Sequence, residues 1–118
     1  MEARAIQRHA RQSSRKMRLV VDLIRGKNVS EAYAILKFNK KYAAKQIEKT
    51  LRSAVANAEQ AALSANESLD IDDLVVTKAV INMGTPLKRF QSAAQGRGVP
   101  IKKRTSHVEI HVGTKESK

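Results

Sequence analysis

Apolar residues recur at helical spacing through the first half of the chain. Met17, Val20, Val21 and Ile24 fall at i, i+3, i+4 and i+7, which predicts a helix opening at Ser13 or Ser14 as N-cap and closing at Gly26. A second, short helix is predicted from Ser30 to about Phe38-Asn39, with Ala32, Ile35 and Leu36 on its buried face. The longest periodic stretch runs from Lys41 to about Ser64. There Ala44, Ile47, Leu51, Ala54, Ala58 and Ala61 share one side, with Lys45, Glu48, Lys49, Arg52 and Glu59 beside or opposite them. Such a helix spans roughly 35 Å, and its mostly alanine stripe lets other elements approach its axis closely.

The period then switches from 3.6 to 2. Leu74 to Met83 is rich in Val and Ile, which predicts a strand covered on much of both faces. Val108, Ile110 and Val112 alternate with His107, Glu109 and His111, a strand with one wet face, and Ala3 to His9 supplies a third strand. The fold class expected is α+β: a small antiparallel three-stranded sheet packed on three helices, with the long helix as spine. Tyr33, Phe38 and Tyr42 are assigned to the core or its rim, and Gly113 to Lys118 to a frayed tail. No internal repeat divides residues 1–118, so a single domain is expected.

Between the two firmest strands, Gly84 to Lys102 carries three glycines, two prolines, several cations and hardly any large apolar side chain. A structureless loop of this length inside a compact domain is uncommon. Because the flanking strands are antiparallel, the better expectation is a hairpin continuing beyond the body as a two-stranded arm of roughly 30 Å. Gly84, Gly96 and Gly98 are expected to keep that arm narrow. An isolated hairpin is marginal in water, so an outside partner must hold it.

Charge indicates the nature of that partner. The 118 residues contain 23 Lys and Arg against 11 Asp and Glu, a formal charge of +12. The excess is unevenly placed: residues 1–28 carry +6, residues 29–83 are neutral, and residues 84–118 carry the other +6. From Gly84 to Val108 there is no acid at all, while Lys88, Arg89, Arg97, Lys102, Lys103 and Arg104 are cationic. Such a run repels itself unless a polyanion is present. The acids Glu67, Asp70, Asp72 and Asp73 are assigned to a solvated connection on the side away from the partner.

Several function classes drop out. The absence of cysteine removes disulfides, thiolate zinc sites and cysteine nucleophiles. No apolar run reaches ~18 residues and the start lacks the apolar stretch of a signal peptide, so no membrane partner is expected and the chain should remain where it is made. His107, Glu109 and His111 share a strand face, yet the outer pair would stand roughly 13 Å apart, too far for one ion to bridge. Gly96-Arg97-Gly98 lacks phosphate-loop spacing, and nothing places Ser, His and acid as a triad. No cofactor, metal or catalytic residue is expected.

Taken together, Ser13-Ser14-Arg15-Lys16-Met17-Arg18-Leu19-Val20, Asp22-Leu23-Ile24-Arg25-Gly26-Lys27, Leu51-Arg52-Ser53-Ala54-Val55-Ala56-Asn57-Ala58-Glu59, Leu87-Lys88-Arg89, Gly96-Arg97-Gly98 and Ile101-Lys102-Lys103-Arg104-Thr105-Ser106-His107-Val108 resemble the family of bacterial large-subunit ribosomal protein twenty-two. The likeness runs from about Ile6 to Val112. It implies a body seated on large-subunit (23S) ribosomal RNA near the mouth of the peptide exit tunnel. It further implies a hairpin, about residues 84–102, that lines the tunnel wall, a role early in subunit assembly, an influence on macrolide sensitivity and a cytoplasmic location. The implied partners are that RNA, neighbouring large-subunit proteins and the nascent polypeptide, with no homo-oligomer. Two departures stand out: Ser14 replaces a frequent proline, and Ser92-Ala93-Ala94-Gln95 replaces a Pro-Arg-Ala run before the Gly-Arg pair, so one tip arginine is missing.

The residues expected to touch RNA are Arg11, Ser14, Arg15, Lys16 and Arg18 around the first helix, and Lys88, Arg89, Gln95, Gly96, Arg97, Lys102, Lys103, Arg104, Thr105, Ser106 and His107 along and below the arm. Lys and Arg neutralise phosphates and release counterions. Thr105, Ser106 and His107 offer neutral donors suited to phosphate and 2′-hydroxyl oxygens. For the first helix an ordinary exposed face is the competing reading. Phe90, Gln91, Ser92, Ala93 and Ala94 are expected to line the tunnel, with the alternative that Phe90 packs where the arm leaves the body. A free-standing DNA-binding protein shares the charge but needs no single projecting arm, and an enzyme acting on RNA has the least support.

Overall fold

A computed structural model describes residues 2–92, 96 and 98–114, and of residues 87–92 and 99–102 the backbone alone. The elements are β1 (Glu2–Ala10), α1 (Ser14–Ile24), α2 (Val29–Phe38), α3 (Tyr42–Ser64), a 3-10 turn (Ile71–Asp73), β2 (Leu74–Met83), β3 (Leu87–Ser92), β4 (Gly98–Lys103) and β5 (Ser106–Thr114). The α+β architecture is as expected. β5 is the centre of an antiparallel sheet ordered β1-β5-β2, while β3 and β4 form a separate two-stranded ribbon.

Local chemistry sets the helix ends. Ser13 Oγ accepts from the Lys16 N–H at 3.4 Å, capping α1. Gly26, at φ +78°, supplies the left-handed turn after α1, and its N–H donates to Val76 O at 3.1 Å, tying the helix exit to β2. α2 begins at Val29, one residue before the expected start, because Asn28 caps it: its Oδ1 accepts from the Ser30 N–H at 3.0 Å. Asn66, at φ +58°, closes α3.

Packing follows the helical stripes. α3 lies against β1 and β5, and α1 against β2. Met17, Val20, Val21 and Ile24 of α1 are buried, as are Ala44, Ile47, Leu51, Ala54 and Ala58 of α3. Burying a side chain the size of Ile47 or Leu51 contributes about 1.5–3 kcal/mol. Ala61 was the wrong end of the stripe: it is exposed and Ala62 is buried. Five full turns at 3.6 residues carry the face from Ala44 to Ala62. Phe38, 81% exposed, is neither core nor rim, because Val29, Ala32 and Leu36 take the buried side of α2 and Phe38 stands roughly opposite.

Two expectations for the strands change. Only Leu74, Val75 and Val76 of β2 are buried in succession; beyond the bulge at Val76/Lys78, inward Ala79 and Ile81 alternate with more exposed neighbours. Gly113 and Thr114 are part of β5, where Gly113 pairs with both Glu2 and Val75; residues 115–118 lie outside the described residues. β1 is pinned to α3 by polar bonds: Gln7 Nε2 donates to Gln46 Oε1 at 2.6 Å, and Asn57 Nδ2 to Arg4 O at 2.8 Å.

Candidate nucleic-acid interface

The arm is a ribbon of two six-residue strands whose ladder runs from Leu87↔Lys103 to Ser92↔Gly98. Pro100, opposite Phe90, is compatible with it because both strands of a ribbon are edges. The ladder sets Lys88 opposite Lys102, and like charges directly across a strand pair are unfavourable. The ribbon extends the molecule to 66 × 28 × 19 Å. Its radius of gyration is 17.5 Å, against about 13.5 Å for a compact chain of this length. Gly96, exposed and at φ +70°, falls between the two strands. Of the residues expected at the tip, Ala93, Ala94, Gln95 and Arg97 lie outside the described residues. For Lys88, Arg89, Phe90, Gln91, Ser92 and Lys102 the backbone places each within the ribbon.

Where the ribbon joins the body, expectation and structure part. Thr105 and Ser106 were expected to offer hydroxyls to RNA, but they are 3% and 0% exposed. The Thr105 hydroxyl donates to Thr85 O at 2.7 Å and that of Ser106 to Gln12 O at 2.6 Å, so both donors are already used inside the protein. The role expected of Gly84 also changes. A Cβ at Gly84 would stand 2.5 Å from Thr105 Oγ1, so the missing side chain admits the buried threonine rather than narrowing the arm. At Gly96 a Cβ would meet nothing within 4 Å, so there the glycine serves the positive φ.

The sheet brings the end of β1 and the start of α1 beside the residues that lead from β4 into β5. Ala10, the last residue of β1, pairs with Ser106, the first of β5, which also pairs with Met83 at the end of β2. Arg11 and the start of α1 therefore sit at the ribbon's root. Arg11, Arg15, Lys16 and Arg18 are exposed there, Ser14 is half-buried, and Lys103 and Arg104 are exposed at the end of β4. Arg18 Nη2 also donates to Ile81 O at 3.0 Å, which holds its guanidinium against the end of β2.

Residues without an expected role join this surface. Arg8 and His9 are exposed at the end of β1. His9 lies at φ +59° within a bulge; its N–H donates to His107 Nδ1 at 3.1 Å, and the two rings meet edge to face at 5.0 Å. The buried Gln12 Oε1 has no hydrogen-bond partner among the described residues. The cationic letters Arg8-His9-Ala10-Arg11 were visible in the sequence, but the bulge that turns His9 toward His107 was not.

A cluster of acidic residues occupies the other end of β2. Asp70, Asp72 and Asp73 are exposed just before Leu74, which pairs with Thr114, while the arm leaves beyond Met83. The length of β2, about 30 Å, separates them. One cationic cluster thus lies at the arm's root and the Asp70, Asp72 and Asp73 cluster at the far end of β2.

The chain matches the family model described as ribosomal protein L22p/L17e over residues 5–113. It belongs to that family. A large ribosomal subunit protein uL22 from Clostridium novyi (strain NT) is 54% identical, over 95% of this chain and 96% of the relative. One from Macrococcus caseolyticus (strain JCSC5402) is 52% identical over 100% and 91%, and one from Bifidobacterium longum (strain DJO10A) 49% identical over 98% of each. The role that follows from membership is structural, within the large ribosomal subunit to which these relatives belong, and not enzymatic.

On this ribosomal protein the sheet face turned away from the helices carries its own network. His111 Nδ1 lies 3.3 Å from Glu2 Oε1 and its Nε2 3.1 Å from Glu109 Oε1, while Arg4 Nη1 is 3.5 Å from Glu109. The hydrogen bond with His111, more than the nearby charges of His111, Lys78 and Arg4, holds the Glu109 carboxyl below the usual carboxylate range, against a smaller opposing effect of burial. Glu109 and His111, two apart on β5, meet by leaning together. Among the described residues no group of three His or acidic side chains is placed to hold a metal ion. No described helix is long and apolar enough to cross a membrane.

Proposed function

We propose that this chain is a structural constituent of the large ribosomal subunit that grips 23S ribosomal RNA with the surface around its arm root. On this reading Arg11, Ser14, Arg15, Lys16 and Arg18 meet the RNA beside Lys103, Arg104 and His107. The arm carries Lys88, Arg89, Lys102, Gln95, Gly96 and Arg97 further along it. Residues 90–94 face the nascent polypeptide as part of the exit-tunnel wall, with the body near the tunnel mouth. Thr105 and Ser106 serve the interface indirectly, through the root. Neighbouring ribosomal proteins complete the surroundings of a single copy in the cytoplasm, and early seating on the RNA supports subunit assembly.

One observation carries this reading: the sheet register brings Arg11 and the start of α1 beside Lys103 and Arg104 at one end of the body, with Asp70, Asp72 and Asp73 about 30 Å away. A polyanion bound at the root gains phosphate contacts from both segments at once. It also screens the opposed lysines of a two-stranded ribbon that is marginal in water by itself.

The test is binding of the full chain to a large-subunit RNA fragment over a range of KCl concentrations. Replacing Lys102, Lys103 and Arg104 together by Ala should weaken binding and flatten the salt dependence by about 0.7–0.9 per lost contact. An unmoved slope would remove this segment from the interface, and equal affinity for duplex DNA would favour a general nucleic-acid binder. A photoreactive side chain placed at Phe90 in assembled ribosomes should cross-link to nascent chains; cross-links to RNA alone would take residue 90 out of the tunnel lining.

A further inference from the structure

We propose that the junction of Gly84, Thr85, Thr105 and Ser106 is a positioning element: it sets the direction in which the arm leaves the body relative to the cationic start of α1. The proposal rests on the reading that both surfaces bind one RNA.

The two strand ladders do not join. The body ladder ends at Met83↔Ser106 and the ribbon ladder begins at Leu87↔Lys103. Three residues lie between them on one strand, Gly84 to Pro86, and two on the other, Arg104 and Thr105. An unequal break in a two-stranded ribbon is where it would bend. Here the break is closed by side-chain chemistry. The Gly84 N–H donates to Thr105 O at 2.9 Å, and the Thr105 hydroxyl donates to Thr85 O at 2.7 Å, replacing the ladder bond the extra residue displaces. Adjacent Ser106, fully buried, donates to Gln12 O at 2.6 Å, in the turn that leads into α1. The chain therefore carries one uninterrupted connection from arm to helix start.

The absent Cβ at Gly84 is part of the device. A methyl there would approach Thr105 Oγ1 to 2.5 Å and His107 Cε1 and Thr105 C to 3.3 Å, and two of those atoms cannot swing aside independently of the backbone or a packed ring. Thr105 and Ser106 touch no solvent to speak of, so their polar groups serve the protein's own geometry. A preset angle spares the complex the cost of ordering the arm against the body when RNA binds.

Positioning and direct contact leave different marks in a salt titration. Loss of a phosphate contact lowers the slope of log K against log salt; loss of preorganisation lowers affinity equally at every salt concentration. For Thr105→Val in the full chain, binding to a large-subunit RNA fragment should weaken about three- to tenfold with a parallel salt line, and Thr105→Ser, which keeps the hydroxyl, should restore it. Wild-type affinity in Thr105→Val overturns the proposal. So does a shallower slope, which would make Thr105 part of the contact surface. A wild-type chain without salt-dependent RNA binding would instead sink the functional reading beneath it. Should Thr105→Val not fold, amide exchange in the wild-type protein decides. The Gly84 N–H should exchange as slowly as the amides of β5, and exchange at the rate of exposed amides overturns the proposal.

Discussion

Removing residues 85–99 should leave the body folded and nearly as stable as before. All three helices and the strands β1, β2 and β5 lie outside that segment, and so does every buried side chain of the core cluster. The cut shortens the connection between Gly84 and Thr105 from twenty residues to five, Pro100 to Arg104. Those ends are already bridged by the bond from the Gly84 N–H to Thr105 O, so five residues can close the turn. The cost is the hydrogen bond to Thr85 O, about 0.5–1.5 kcal/mol net. Two halvings of the connection return about 1.2 kcal/mol of closure entropy. The two nearly cancel, so urea unfolding followed by far-ultraviolet circular dichroism should show native helical content and a stability within about 1 kcal/mol of the parent. The deletion also removes three cations, Lys88, Arg89 and Arg97, which should lower the salt slope of RNA binding by about 2–3. Collapse of the helical signal, or a loss above about 3 kcal/mol, would refute the view that the arm stands outside the core.

Three further outcomes follow from the body. Ala54→Leu, fully buried where α3 faces the sheet, should destabilise by about 1–3 kcal/mol through overpacking, measured by chemical denaturation; a neutral result would mean the helix does not approach the strands closely. Asn28→Ala should cost about 1–2 kcal/mol, because Asn28 both caps α2 and donates to Asp72 O at 2.7 Å; a Ser there should recover part of the loss. Glu109 is held ionised below its ordinary range, so its contribution is present above the unfolded value of about 4.3 and is lost as pH falls through the lower folded value. Glu109→Gln should therefore be less stable than wild type near neutrality, with the gap closing on acidification; a gap that widens in acid would contradict the assignment.

The elements that could be read along the chain are those whose causes are local. α1 announces itself because Ser13, the i, i+3, i+4, i+7 apolar set and Gly26 lie within fourteen residues and each acts on its near neighbours. The alanine stripe of α3 was readable for the same reason, and it failed only at Ala61, where a small error in period accumulates over five turns. Thr105 and Ser106 could not be read this way. A hydroxyl in a basic run suits RNA or an internal carbonyl equally well. The choice depends on Thr85, twenty residues away, and Gln12, ninety-four away.

By itself the sequence determined the helices, the α+β class, the projecting hairpin and the uneven placing of an excess of positive charge. Those follow from short-range periodicity and from counting charges that repel. Tertiary structure alone decided that β5 is the central strand, that its register carries Arg11 and the start of α1 to the root of the arm, and that Asp70, Asp72 and Asp73 fall at the opposite end of β2. It also decided that two hydroxyls expected on the surface are spent inside. The physical reason is that strand pairing joins residues about a hundred positions apart, and no local pattern encodes which backbone carbonyl will lie in front of a given side chain.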